Sequence, residues 1–157
     1  MMTTPTTILA TEVPPRKIVS IYPEPFASMM NGREKRQLGE MFGIKKFGVN
    51  LTKLAPGARS ALLHRHSIQE EFIYILEGKP TLVTDNDEIE LQPGMCAGFT
   101  PEGPAHYLIN KTSEIIVYLE VGDRTPGDKA SYPADDLVAV STGNNQWQFL
   151  HKNGEKY

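Results

Sequence analysis

At 157 residues and 17.5 kDa the chain has the size of one domain, long enough to bury a core without a disulfide or metal staple. Charged residues make up 22% of it and the formal net charge is -3, a balance that argues against nucleic acid, a membrane surface or a polyanion as partner. The one cysteine, Cys96, has no second thiol for an intrachain disulfide or a CxxC site, so the expected location is cytoplasmic.

The first 25 or so residues are rich in Thr and Pro, including Pro5, Pro14, Pro15, Pro23 and Pro25, and read as an extended arm rather than a secretory signal. Within it KIVSI, residues 17–21, has the composition of an added strand. The spacing of Leu38, Met41 and Phe42 predicts a short helix over 33–42, with Asn31-Gly32 as its upstream break. From Phe47 the texture changes to short β-branched and aromatic runs, predicting strands near 47–54, 59–66, 71–77, 80–84, 88–92, 95–99, 105–110 and 114–121. Turn chemistry separates them at Pro56-Gly57, Gly78-Lys79-Pro80, 85–87, Pro93-Gly94 and 101–104. The apolar runs 72–76 and 115–119 are far shorter than the roughly 20 residues of a membrane helix. Residues 137–141 and 146–150 form a candidate terminal hairpin across Gly143-Asn144-Asn145. The resulting division is an arm with a short helix over 1–45, an all-β barrel over 46–125 and an extension packing on it over 126–157.

Three of the four histidines fall in two short segments of this β region. His64 and His66 are two apart, so the pleat turns both imidazoles to one face of a strand. A short loop would bring Glu71, at the head of the next apolar run, back beside them, and His106 opens a later strand after a proline-stiffened turn. Each residue alone is more often a surface or hydrogen-bonded side chain than a ligand. Together, three imidazoles and a carboxylate form a mixed N/O set that suits one divalent Fe, Mn, Ni, Zn or Cu ion and disfavours Ca and Mg.

Residues 57–78 read G(x)6HxH(x)4E(x)6G and residues 94–110 read G(x)6PxGxxHxxxN, with every motif position filled. This pair of segments resembles the two signature motifs of the cupin superfamily. The resemblance implies a double-stranded β-helix, a jelly-roll barrel, holding a metal through His64, His66, Glu71 and His106. Glu70 is the competing acid, but it is one residue off in spacing to Gly78 and the pleat aims it oppositely. Gly103 and Asn110 also fill motif positions and are read as structural, for a tight turn and a strand end. The flanking segments FGVNL, YLEVG and YPADDL look like those of small bacterial single-domain cupins, a group for which sugar-phosphate isomerisation is the activity sometimes named.

Period two turns Ser60, Leu62, Ile73, Ile75 and Leu108 inward with the histidines, predicting a largely apolar cup. Neither GxxxxGK nor GxGxxG occurs, and Lys45, Lys46 and Lys53 read as solvated, so no phosphate-holding group is visible. The outward set Phe72, Tyr74 and Leu76 is too apolar for water and calls for a cover, the arm or a second copy of the chain; a homodimer is expected. A metal-dependent enzyme on a small molecule, an isomerase or a dioxygenase, is the favoured function, with a non-catalytic sensing or binding module as the alternative.

Overall fold

A computed structural model describes residues 4–157, so the first three residues of the expected arm lie outside the described chain. Twelve strands and one short helix carry the described residues in this order: β1 (Arg33–Gln37), α1 (Leu38–Met41), β2 (Phe47–Leu54), β3 (Arg65–His66), β4 (Glu71–Glu77), β5 (Thr81–Thr84), β6 (Glu88–Glu90), β7 (Cys96–Phe99), β8 (His106–Ile109), β9 (Ile116–Asp123), β10 (Lys129–Ser131), β11 (Val138–Gly143) and β12 (Gln146–Leu150). Three sheets result, ordered β1-β2-β9-β4-β7, β6-β5-β8 and β12-β11-β10-β3. All the pairings are antiparallel, and together the sheets make a jelly-roll barrel. No helix of the described residues is long and apolar enough to cross a membrane.

In the large sheet the register decides what enters the barrel. Ile73 and Ile75 of β4 lie opposite Glu120 and Tyr118 of β9, which lie opposite Asn50 and Thr52 of β2, which in turn lie opposite Gln37 and Lys35 of β1. Residues directly opposite share a face. The inner face is therefore apolar at one end, where Leu54, Ile73, Ile75, Leu82, Leu91, Leu108, Ile116 and Tyr118 form the barrel core. Towards β1 it becomes polar.

The strand β1 replaces the helix expected over 33–42. All five residues of REKRQ pair with β2, from Arg33↔Leu54 to Gln37↔Asn50. Only α1, four residues long, is helical. Pairing with a preformed strand outweighed the weak helical spacing, whose apolar members Met41 and Phe42 lie past the strand. The expected strand at 17–21 is absent: Ile18, Val19 and Ile21 are exposed, the last two in bends. This part of the arm is held by side chains instead, since Arg16 donates to the carbonyls of Ile18 and Val19 and Arg33 donates to that of Val19.

The expected strand 59–66 is regular only at Arg65–His66. The rest of it runs against β8 through two isolated bridges, Arg59↔Ile109 and His64↔His106. Residues 60–63 separate these bridges on one side and only 107 and 108 on the other, so the segment bulges. The Ser60 hydroxyl accepts the Leu108 N–H inside the bulge. Leu62 is thereby buried in a second core, with Phe26, Met30, Ala130, Tyr132, Leu137 and Ala139.

That second core joins the arm to the C-terminal segment. The terminal hairpin forms as β11 and β12, and β10 pairs with β3 through Ala130↔His66 and Ser131↔Arg65. The extension thus supplies strands to the sheet that carries a histidine, rather than only resting on the barrel.

Candidate metal centre

His64 sits at the end of the bulge, His66 in β3, and Glu71 and His106 at the heads of β4 and β8. The barrel brings the three imidazoles around the Glu71 carboxylate, with His106 outside the mutually close set of His64, His66 and Glu71. Glu71 Oε2 lies 2.8 Å from His106 Nε2, 3.2 Å from His64 Nε2 and 3.6 Å from His66 Nε2. The ligand atoms of His64, His66 and Glu71 all fall within 4.8 Å of one another. Glu70, the competing acid, is exposed and is not among the residues gathered there.

The outer ring nitrogens fix which atom faces inward. His64 Nδ1 meets the Leu62 carbonyl at 2.8 Å and His106 Nδ1 meets the Pro104 carbonyl at 3.3 Å. A carbonyl only accepts, so each Nδ1 carries a proton, which leaves Nε2 as the atom that each ring turns to the centre, where it meets the Glu71 carboxylate. His66 Nδ1 donates to Asp128 Oδ2 at 2.5 Å. Three rings oriented by acceptors behind them, with their Nε2 atoms gathered around one carboxylate oxygen, form a set that would hold a transition ion once the Nε2 atoms give up any proton shared with Glu71. Ligands bound at roughly 2.1 Å and near right angles lie about 3 Å apart, which the contacts to Glu71 match.

Asp128 is the residue that sequence spacing missed. It is completely buried, and its Oδ1 accepts the N–H groups of Ile68 and Gln69 at 2.8 and 3.2 Å and the Ser67 hydroxyl at 3.3 Å. One carboxylate therefore orients His66 and clamps the loop between His66 and Glu71. Burial opposes its charge, but the His66 bond and the two N–H donors outweigh that and lower its pKa. At the centre burial works against a charged His64, yet the Glu71 carboxylate beside it holds its pKa above the ordinary value. Burial likewise works to raise Glu71, and the histidines outweigh it and hold its pKa well below the carboxylate range.

Aromatic rings enclose the site. Phe99 stacks on His106 at 3.4 Å between centroids, and Tyr132 and Trp147 stand 6.1 and 6.0 Å from His64 and His66. Trp147 both anchors the hairpin and lines the cavity. Asn110 is fully buried and ties β8 to β2 through Leu54 O. Gly103 is needed for proximity, since a Cβ there would meet Thr100 O at 3.0 Å. Cys96 is exposed on β7.

The cavity leading to the centre measures about 620 Å³. Its walls correct the expectation of an apolar cup: Arg16, Arg33, Lys35, Asn50, Tyr118 and Glu120 all line it. Lys35 and Glu120 form an ion pair at 2.5 Å, and Asn50 donates to the same Glu120 oxygen at 3.1 Å. These groups come from β1, β2, β9 and the arm, outside both motifs. Because β1 was read as a helix, its inward arginine and lysine had no place in the cup.

The same architecture occurs in known proteins. Over 96% of both chains it matches the crystal structure of a sugar phosphate isomerase of the cupin superfamily from Silicibacter pomeroyi, at 35% identity and a TM-score of 0.89. The chain belongs to the cupin superfamily. The family model for the cupin domain matches residues 50–122. A protein from Acidithiobacillus ferrooxidans, named a candidate sugar phosphate isomerase, is 30% identical over 80% of each chain, with a TM-score of 0.72. The polyketide cyclase RemF from Streptomyces resistomycificus shares the cupin fold at 24% identity and a TM-score of 0.60, covering 78% of this chain and 80% of its own. Among curated sequences, the uncharacterised protein MJ1618 of Methanocaldococcus jannaschii is 35% identical over 51 residues, a match that spans 41% of its length.

Proposed function

We propose that this cupin binds one divalent first-row transition ion, Fe, Mn, Ni, Zn or Cu, through His64, His66, Glu71 and His106, and isomerises a small phosphorylated sugar. The observation that carries the reading is the gathering of three histidine Nε2 atoms around Glu71 Oε2. When bound, the ion would supply Lewis acidity to a substrate carbonyl. The names borne by two solved structures, at 35% and 30% identity, support the substrate class.

The chain's own groups supply the rest. Tyr132, Trp147 and Phe99 keep water from the inner end of the cavity. Glu120, held by Lys35 and Asn50, is a cavity carboxylate not engaged with the histidines, and in this reading it takes a proton from one substrate carbon and returns it to the next. The protein acts in the cytoplasm as a homodimer on a small molecule, without nucleic acid or membrane.

Elemental analysis of purified protein tests the centre: about one ion per chain in the wild type and its loss in His64→Ala and His106→Ala are expected. Stoichiometric metal that survives both substitutions overturns the ligand set. Aldose and ketose phosphates are then screened for interconversion by the metal-loaded protein. Silence there, together with oxygen uptake on a small phenol or thiol, replaces the isomerase by a dioxygenase; silence with tight binding of one compound replaces it by a sensing module.

A further inference from the structure

Two arginines meet in the cavity without an acid between them. Arg16 Nη2 and Arg33 Nη2 donate to one acceptor, the Val19 carbonyl oxygen, at 2.6 and 2.7 Å. Both guanidinium groups line the cavity. Among the described residues neither makes an ion pair with a carboxylate, since Glu120, the nearby acid, is taken by Lys35. Arg33 is only 8% exposed, and its Nε has no hydrogen-bond partner. Beside them Tyr118, wholly buried and lining the same cavity, has an unpartnered hydroxyl.

Two like charges held on one neutral oxygen repel each other, and burying either without a counter-charge is costly. Burial lowers the pKa of Arg16, and its neighbour Arg33 lowers it further. An arginine pair of this kind, with Glu120 as a charged neighbour but no carboxylate in direct contact, presents donors suited to a tetrahedral or planar oxyanion. The arm is tied here by these bonds rather than by a ladder, so the site is assembled from two parts of the chain distant in sequence.

We propose that Arg16 and Arg33 bind the anionic end of the substrate, a phosphate monoester or a carboxylate, while its other end reaches the histidine centre. This assignment rests on the reading of the cavity as a substrate site, but it does not require the isomerase chemistry.

Inorganic phosphate, and acetate in parallel, are titrated calorimetrically into the full-length protein at low salt, as purified and after chelation. Phosphate is expected to bind with one site per chain that persists after chelation. At least a tenfold loss of affinity is expected in Arg16→Gln and in Arg33→Gln, with no change in Lys45→Gln. Preference for phosphate over acetate identifies a phosphate end and the reverse a carboxylate end. Arg33 also holds the Ser60 carbonyl; should Arg33→Gln fail to fold by circular dichroism, Arg16→Gln decides the matter alone. Phosphate affinity equal to wild type in folded Arg16→Gln overturns the proposal, as does phosphate binding that vanishes on chelation, which would put the anion on the metal. Arginine-dependent phosphate binding in a protein that isomerises no sugar phosphate keeps the anion site and discards the isomerase.

Discussion

Asp128 holds His66 from behind with one oxygen and the loop 67–69 with the other. Asp128→Asn keeps the oxygen that serves the loop and replaces the second by an amide that donates, so His66 Nδ1–H loses its acceptor. Loss of such a partner typically weakens metal binding by about 10–100-fold. That loss is the expected outcome in a chelator competition, with circular dichroism unchanged; an unaltered affinity would remove Asp128 from the metal centre. Glu120→Gln separates chemistry from metal in the opposite way. It removes the group assigned to proton transfer while leaving the histidines and Glu71 untouched, so metal content is expected to stay at wild-type level while turnover falls by about 10²–10⁴-fold. The four converging residues were legible because two motifs and a period of two place them. Asp128 and Glu120 were not, because each takes its place from a strand or turn whose contribution depends on register set elsewhere in the chain.

Among the elements, β4 shows how far local sequence goes. Its bounds, its inward Ile73 and Ile75 and its closing glycine all follow from alternation and turn chemistry. Gly78 has a positive φ of 77° and follows a register irregularity between Ile75 and Glu77. A Cβ there would lie 2.8 Å from Ile116 Cγ1 and 3.0 Å from Ile115 O. Gly78→Ala therefore combines left-handed backbone strain with overpacking and is expected to destabilise the protein by ~2–4 kcal/mol in a denaturant melt. A loss below about 0.5 kcal/mol, the level of a neutral surface change, would show that the turn relaxes. The element misread, β1, carries the opposite lesson. REKRQ contains no apolar residue by which alternation could be scored, and its state is decided by the edge of β2 that it joins. Misreading that one strand hid Arg33 and Lys35, and with them the polar half of the cavity. The bulge at 60–63 was hidden for a related reason, since a two-residue slip against β8 leaves no mark in composition.

At the scale of the whole molecule the outer face of the large sheet remains bare. Phe72, Tyr74 and Leu76 are 42%, 39% and 39% exposed. Across the strands Phe72 lies opposite Val121 and Tyr74 opposite Leu119, and these lie opposite Val49 and Leu51 of β2, so the apolar face spans three strands. The arm covers only its far side, where Arg36 of β1 donates to the Val13 carbonyl and Leu51 is buried. Of the two covers the face calls for, the arm is thus committed elsewhere and a second copy remains. An antiparallel sheet apolar on both sides is stable in water only when both are covered. The proposed homodimer is expected to persist at micromolar concentration in light scattering, and Tyr74→Arg, which puts a charge in the middle of the row, is expected to yield a monomer that retains its metal. Cys96 gives a second readout, because it lies opposite Tyr74 on the edge strand β7 and is exposed in the single chain. In the dimer its thiol is covered, so maleimide labelling is expected to be slow in the wild type and fast in Tyr74→Arg. A wild-type protein that scatters as a monomer, with Cys96 labelled as fast as in the variant, would overturn the dimer and leave the metal centre, built within one chain, unaffected.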